Sequence, residues 1–460
     1  SIAFDPHNDS IIWVGSDDGL VHLTTDAGAH WSEVRPSNMP TWATVTCIEP
    51  SATAPGTAFV SASRFDWDDF HPYVYKTTDY GKTWSTLTNG LPEDQYIESV
   101  RQDPNHPSLL LAGSSSTAYF STNGGAQWQP LSLNLPAVRV SDVEIQPEQH
   151  AVVLATFGRG FWVLDDLQLL EQLGSTEADA SGAQLFKPQQ AWLTTRGGRG
   201  GFGGGAGGEN LAAGATIFFR LPSDYSASTP VKLSFADAAG KLINTVTLPE
   251  RPVAGAGRGG RGGAGGAGRA ARLRAGMNRY QWNMRYPDAV EVKGLYHSGF
   301  SASEPVGPEV VPGTYTVTLS YGGAEQKQPL VIQLDPNLHT TQAELQQRFE
   351  LLMRIHDAIN RLDTALNQAI DARDALAKSG SNSAAEQKLT SDIDDLVDLR
   401  IQSSEGALVY PGRLRAWLSA ISGQVSMALI PPTPAMIEVA NGYIQQAGAG
   451  VAKLKADMPQ

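Results

Sequence analysis

A single cysteine, Cys47, among 460 residues excludes an intramolecular disulfide framework and any metal site built from several thiolates. No run of about 18 consecutive apolar residues occurs, so no helical membrane span is expected. Positive charge is in the minority: 34 Lys and Arg stand against 47 Asp and Glu, a formal charge of −13. Such a balance argues against a nucleic-acid binder and gives no pull toward anionic membranes, so neutral or cationic partners fit better. The nine histidines form no HExxH or HxH pattern and no G-x-S-x-G elbow is present. Neither a metal, a cofactor nor a serine nucleophile is therefore indicated.

What is present is enough apolar material for real cores, 41% hydrophobic residues over a length of two to four domains. The chain opens Ser-Ile-Ala-Phe-Asp-Pro, without an initiator Met or a signal peptide, and is expected to be a mature, cleaved or truncated piece. Its first 170 residues repeat. Each unit has a hydrophobic stretch, a proline after an acidic or amide residue, a second hydrophobic stretch and a turn. The prolines are Pro6, Pro50, Pro104 and Pro147, spaced by 44, 54 and 43 residues, the spacing of propeller blades.

Three units carry a second signature, S/T-x-D-x-G-x-x-W: TTDAGAHW from Thr24, TTDYGKTW from Thr77 and STNGGAQW from Ser121. An Asp there accepts hydrogen bonds from nearby amides, Gly takes positive φ, and Trp packs back on the turn. Asn123 replaces the third Asp and is expected to cap less tightly. The signature resembles the Asp box, or BNR repeat, of sialidases, xyloglucan-type glycoside hydrolases and the VPS10 domain of sortilin-like receptors. In those families the box is structural and peripheral. The resemblance thus implies turn staples at Asp26, Gly28, Trp31, Asp79, Gly81, Trp84, Asn123, Gly125 and Trp128. It also implies a β-propeller and an extracytoplasmic location, secreted, periplasmic or at the cell surface. Four units are few for a ring of about four to eight blades or more. The expectation is an incomplete ring whose missing N-terminal blades belong to a longer protein, with a closed four-bladed ring as the alternative.

Residues 171–183 read as a linker after a short helical run. Strand patterns follow at 184–192, 216–221, 231–236, 242–248, 278–285, 314–321 and 329–334, with turns at Asp237–Gly240 and Gly322–Gly323. They predict an antiparallel, immunoglobulin-like β-sandwich over 184–336. Two Gly/Arg-rich inserts, 196–208 and 254–270, read as loops kept soluble by arginine rather than as nucleic-acid arms. From 337 to 460 the period turns helical. Thr341 and Glu344 form a capping box ahead of Leu345, Phe349, Leu352, His356, Ile359, Leu362, Leu366 and Ile370, and further helices are expected at 384–401, 412–429 and 434–456. His356 on this apolar stripe reads as a core histidine. The fold class is mainly β with an α tail: propeller blades, a sandwich, then a helical bundle. That order resembles large secreted bacterial proteins labelled glycosyl hydrolase-like.

The candidate site is the run Arg64-Phe65-Asp66-Trp67-Asp68-Asp69-Phe70-His71-Pro72-Tyr73, read as an inserted blade loop that accounts for the 54-residue step. Trp67, Phe70 and Tyr73 are suited to stacking, Arg64 and His71 to polar contacts, and Asp66, Asp68 and Asp69 to accepting hydrogen bonds or acid/base work. Arg159 in a later turn is a candidate anion contact. Sialidase chemistry is disfavoured, because Arg35, Arg64, Arg101, Arg139 and Arg159 have no evident Tyr–Glu partner. The expected function is binding of a polysaccharide or extended peptide through the propeller face. Glycoside hydrolysis by a carboxylate pair is the second reading, and a structural cell-surface component, self-associating through the helical tail, the third.

Overall fold

The computed structural model describes residues 1–131, 133–175, 182–194, 214–249, 273–295, 306–378, 384–400, 410 and 412–458. The Gly/Arg-rich inserts at 196–208 and 254–270 lie outside these, as do residues 176–181 of the expected linker. The chain divides into two compact units, Ser1–Asp179 and Ala180–Gln460. The second places the expected sandwich and the expected helical region in one body.

The first unit is a succession of antiparallel meanders. Strands β1 (Ile2–Asp5), β2 (Asn8–Gly15), β3 (Val21–Thr24) and β4 (Ser32–Glu33) form one sheet in chain order. So do β5 (Thr44–Pro50), β6 (Ala58–Arg64), β7 (Asp69–Thr77) and β8 (Ser85–Thr86), and then β9 (Ile97–Gln102), β10 (Leu110–Ser114), β11 (Ala118–Ser121) and β12 (Gln129–Pro130). A three-stranded sheet follows, β13 (Val140–Gln146), β14 (Ala151–Thr156) and β15 (Gly160–Leu164), and then helix α1 (Leu167–Ser175). In β2 the residues Ile11, Trp13 and Gly15 alternate inward, whereas β10 is buried on both faces because sheets pack on either side of it. In the first sheet β1 pairs with β2 from Ile2↔Val14 onward, so this repeat has all four strands.

The three signature turns share one hydrogen-bond set. The Thr24, Thr77 and Ser121 hydroxyls donate to Asp26, Asp79 and Asn123 at 2.8, 2.9 and 2.8 Å. Each hydroxyl also accepts from the amide of Gly28, Gly81 or Gly125 at 2.9 Å. The Asn123 amide oxygen accepts from the Gln127 amide at 2.9 Å, as Asp26 does from His30 and Asp79, at 2.8 Å, from Thr83. The third cap keeps the shared bonds but is the looser one, as expected: the second carboxylate oxygens of Asp26 and Asp79 also take the His30 ring nitrogen at 2.6 Å and the Thr83 hydroxyl at 2.7 Å, and Asn123 has no second oxygen. Gly81 is held at φ +81°, and a Cβ there would lie 2.7 Å from Val34, so only glycine lets this turn close on the neighbouring sheet. The tryptophans extend the contact. Trp84 donates to the Val34 carbonyl at 2.7 Å and Trp128 to that of Leu87 at 2.8 Å, each in the connection that follows the preceding sheet. Trp31 bonds within its own turn, to the Gly28 carbonyl at 3.1 Å. It is 44% exposed, against 2% for Trp128.

In the second unit β16 (Gln184–Leu185), β18 (Ala215–Leu221) and β21 (Gly276–Trp282) form one sheet. A second sheet has the order β17 (Ala191–Leu193), β23 (Ala324–Leu334), β22 (Gly313–Tyr321), β19 (Val231–Ala236), β20 (Leu242–Leu248). Ile217 and Phe219 of the first sheet and Leu233, Phe235, Val317 and Leu330 of the second share one buried cluster, in which Phe235 stacks on Trp282 at 4.1 Å. The single strand expected at 184–192 is two, β16 and β17, in different sheets. Pro188 lies between them without an N–H to continue a ladder. The all-antiparallel expectation also fails at one pair, since β17 runs parallel to β23.

The helices are α2 (Gln342–Lys378), α3 (Ala384–Leu396), α4 (Leu414–Ser426) and α5 (Pro434–Asp457). The capping box forms: Glu344 accepts from the Thr341 amide at 2.8 Å and the Thr341 hydroxyl from that of Glu344 at 3.3 Å. His356 is buried, and its Nε2 lies 3.0 Å from the Pro287 carbonyl, a satisfied core position. Helices α3 and α4 stop short of the 401 and 429 expected for them. Sheets and helices interlock, with Leu345 and Leu429 in the sheet cluster and Val292 in the helical one.

Candidate ligand-binding face

An up-and-down meander sends alternate connections to opposite ends of its sheet. In the first unit the β2–β3, β6–β7, β10–β11 and β14–β15 turns lie at one end, with the links that enter β5, β9 and β13. Backbone bonds tie these together: the Trp42 amide donates to the Asp18 carbonyl at 3.1 Å, Ser115 to Tyr96 at 3.0 Å and Phe157 to Arg139 at 2.9 Å. Aromatic side chains collect here. Trp42 and Trp67 are 58% and 59% exposed with ring centroids 6.4 Å apart. Phe65 stacks on Tyr96 at 5.1 Å, and Phe70 lies 6.1 Å from the same ring.

Arg139 joins the groups from several connections. Its guanidinium lies 5.7 Å from the Phe65 ring, 5.9 Å from Tyr96 and 5.6 Å from Phe157, while Nε pairs with Glu98 at 2.6 Å. A cation shared by three rings holds them in place by cation–π attraction. Phe157 itself is 73% exposed. Arg159 is exposed in the same β14–β15 turn and has no place in the Arg64 cluster.

The run 64–73 is not an inserted loop. Arg64 ends β6, residues Phe65–Trp67 make a single 3-10 turn, Asp68 takes φ +61°, and Asp69 begins the nine-residue strand β7. Arg64 and Asp69 are cross-strand partners, so the longer repeat comes from an extended hairpin rather than an extended connection. The pairing explains the local chemistry. Asp69 accepts from Arg64 at 3.1 Å, from the Tyr73 hydroxyl at 2.9 Å and from the His71 amide at 3.2 Å, and His71 Nδ1 lies 2.8 Å from it. Partial burial pushes the Asp69 carboxyl up, but the hydrogen bonds from His71 and Tyr73 outweigh it and hold the group below the usual range. Burial, reinforced by Asp69, pushes the Tyr73 hydroxyl up to about 12. Asp66 and Asp68 are exposed on the turn. The structure thus brings Arg64, Asp69, His71 and Tyr73 into one cluster, while Trp67 lies against Trp42. Asp69 within it is an ionised acceptor, without the raised proton affinity of a general acid.

Sequence reasoning missed Trp42, Tyr96, Arg139 and Phe157 as members of this face. The available signal was positional: each lies in, or at the end of, a connection that the repeat assigns to the same end of its sheet.

The first strands carry a separate charged group. Arg101 on β9 pairs with Glu49 of β5 at 3.5 Å and Asp142 of β13 at 2.9 Å, and its Nη1 lies 2.6 Å from the Cys47 sulfur. Burial pushes the Glu49 carboxyl up to about 7 in spite of Arg101. Because folding raises this pKa, the associated stability is full below about pH 4.5 and is lost as pH rises through about 7. Unfolding free energies measured from pH 5 to 8 are expected to fall by about 2–3 kcal/mol more for the native chain than for Glu49→Gln. Parallel curves for the two would refute this.

No protein-family model matches the chain, and no curated protein matches it. Among solved structures it is similar to YCF48 from Cyanidioschyzon merolae, at 20% identity and TM-score 0.29 over 35% of this chain and 52% of that one. It is also similar to the GH74 xyloglucanase from Xanthomonas campestris, at 14% identity and TM-score 0.31 over 72% and 45% of the respective chains. The GH74 enzyme from Niastella koreensis gives 14% identity and TM-score 0.28 over 48% and 27%. The chain spans about half or less of each of these proteins. The architecture described above stands on strand order and register rather than on these scores.

Proposed function

We propose that the first unit is part of a propeller whose aromatic end binds a neutral polysaccharide. The observation that carries this is the set of exposed rings at one end of the sheets, Trp42 from the link into the second sheet, Trp67 and Phe70 from that sheet's hairpin and Phe157 from the fourth sheet. Flat apolar rings held rigid at low entropic cost suit the C–H faces of sugar rings, and the Arg64–Asp69–His71 cluster offers polar partners for hydroxyls. Hydrolysis is the weaker reading, because a general acid needs a raised pKa and Asp69 is held low while Asp66 and Asp68 face solvent. The half-exposed Trp31, with exposed Ile2 and Phe4 on β1, supports further blades packing before the first sheet. In the same reading the protein is extracytoplasmic and its immunoglobulin-like sheets and helical tail serve as accessory and self-association modules.

Affinity electrophoresis through gels containing soluble neutral polysaccharides tests it, with reducing-sugar release measured on the same mixtures. Retardation by at least one polysaccharide, without sugar release, is expected. Trp42→Ala and Trp67→Ala should each weaken it roughly tenfold, the equivalent of about 1.4 kcal/mol of lost stacking. Sugar release abolished by Asp66→Asn, Asp68→Asn or Asp69→Asn would replace binding by hydrolysis. Retardation by none would leave the structural reading, and capture of extended peptides alone would change the ligand class.

A further inference from the structure

At the opposite end of the same sheets, four titratable side chains converge from segments far apart in sequence. Asp103 and His106 lie in the β9–β10 connection, His150 at the end of the β13–β14 connection and Glu171 on α1. Ligand atoms of Asp103, His106 and Glu171 all lie within 4.8 Å of one another. His106 Nδ1 is 3.5 Å from Glu171, and His150 Nδ1 lies 2.7 Å from the other oxygen of that carboxylate.

Two observations set this group apart from an ordinary surface cluster. Asp103 is fully buried, and its Oδ1 accepts the Asn105 and His106 amides at 2.7 and 3.0 Å. Its Oδ2 is equally buried and has no hydrogen-bond partner, and neither has His106 Nδ1. A buried carboxylate oxygen left without a partner costs free energy that some cation would recover. Secondly, no lysine or arginine is paired with Asp103 or Glu171 among the described contacts; the neighbours are imidazoles. The cluster is nevertheless rigid. The Asn105 side chain donates to the Pro147 carbonyl at 3.1 Å, the Leu167 amide to the His150 carbonyl at 3.0 Å, and Leu167 and Leu170 seat α1 in the core.

We propose that Asp103, His106 and Glu171 bind a divalent transition-metal ion, with His150 orienting the Glu171 carboxylate. One imidazole and two carboxylates form a mixed nitrogen and oxygen set that favours zinc-like ions over calcium or magnesium. His150 on the far oxygen is the kind of outer partner that fixes a ligating carboxylate. His106 and His150 are partly exposed, which leaves a path from solvent. The ion would clamp α1 onto the third and fourth sheets. No spacing motif announces the site, because its members span residues 103 to 171 and only the fold assembles them.

The test is Zn²⁺ titration of the full chain after removal of metal with a chelator, followed by calorimetry and elemental analysis. One equivalent per chain is expected, with a rise of about 5 °C in the melting temperature of the first unit at saturation. Asp103→Asn keeps the turn-capping Oδ1 but puts an amide nitrogen in place of Oδ2, so the variant should fold as before and bind roughly 100-fold more weakly. His106→Ala should match it, and His150→Gln should lose about tenfold. Zinc retained equally by Asp103→Asn and His106→Ala, or less than half an equivalent bound by the native chain, overturns the proposal.

Discussion

Arg415→Met is expected to destabilise the second unit by about 3–5 kcal/mol at pH 7. Arg415 on α4 donates through Nε and Nη2 to one oxygen of Asp363 on α2, both at 3.2 Å, and both side chains are buried. The other Asp363 oxygen has no partner, so the carboxylate depends on this guanidinium. Burial already pushes the Asp363 carboxyl up to about 6 against the pull of Arg415. Without the arginine, the group must stay charged in an apolar bundle or take up a proton. The penalty should therefore shrink as pH is lowered from 7 to 5, where protonation removes the unpaired charge. Urea unfolding at the two pH values checks this, and Arg415→Met/Asp363→Leu should recover most of the loss. A penalty that is the same at pH 5 and 7 would refute the account.

Trp282→Ala is expected to cost about 3–5 kcal/mol, while Trp282→Phe should cost roughly 1 kcal/mol. Trp282 is fully buried, stacked on Phe235 and edge-on to Tyr315 at 6.2 Å, so it joins the two sheets of the second unit. Alanine would leave a cavity between sheets already held apart by Phe219 and Phe235. Phenylalanine keeps the stacking face and removes the indole N–H, which has no hydrogen-bond partner in this core. Equal losses for the two variants in denaturant titrations would overturn this account, because they would show that a stacked phenyl ring does not substitute for the indole.

The first unit was legible because its repeat is local. Three turns with the same spacing of hydroxyl, acceptor, glycine and tryptophan fold alike, and Asn123 keeps that geometry with one side-chain bond fewer than Asp26. The α2 capping box and apolar stripe were legible for the same reason, down to the buried His356. The 64–73 run was misread because residues that look like a loop, aromatic and acidic together, are the tip of a hairpin. Its register pairs Arg64 with Asp69, and register is a property of two strands. The split of 184–192 was likewise decided by distant partners, β18 for one half and β23 for the other.

The sequence by itself determined the blade-like repeat, the staple turns, the change to helix after residue 337 and the presence of a chemically unusual aromatic-acidic run. Those depend on contacts over a few residues, where spacing alone dictates which groups meet. Only the tertiary structure decided that Trp42, Tyr96, Arg139 and Phe157 join that run at one end of the sheets. It likewise brought Asp103, His106, His150 and Glu171 together at the other, and set Arg415 against Asp363 inside the helices. Each of these groupings spans dozens of residues, and the packing that closes the intervening chain leaves no periodic trace in it.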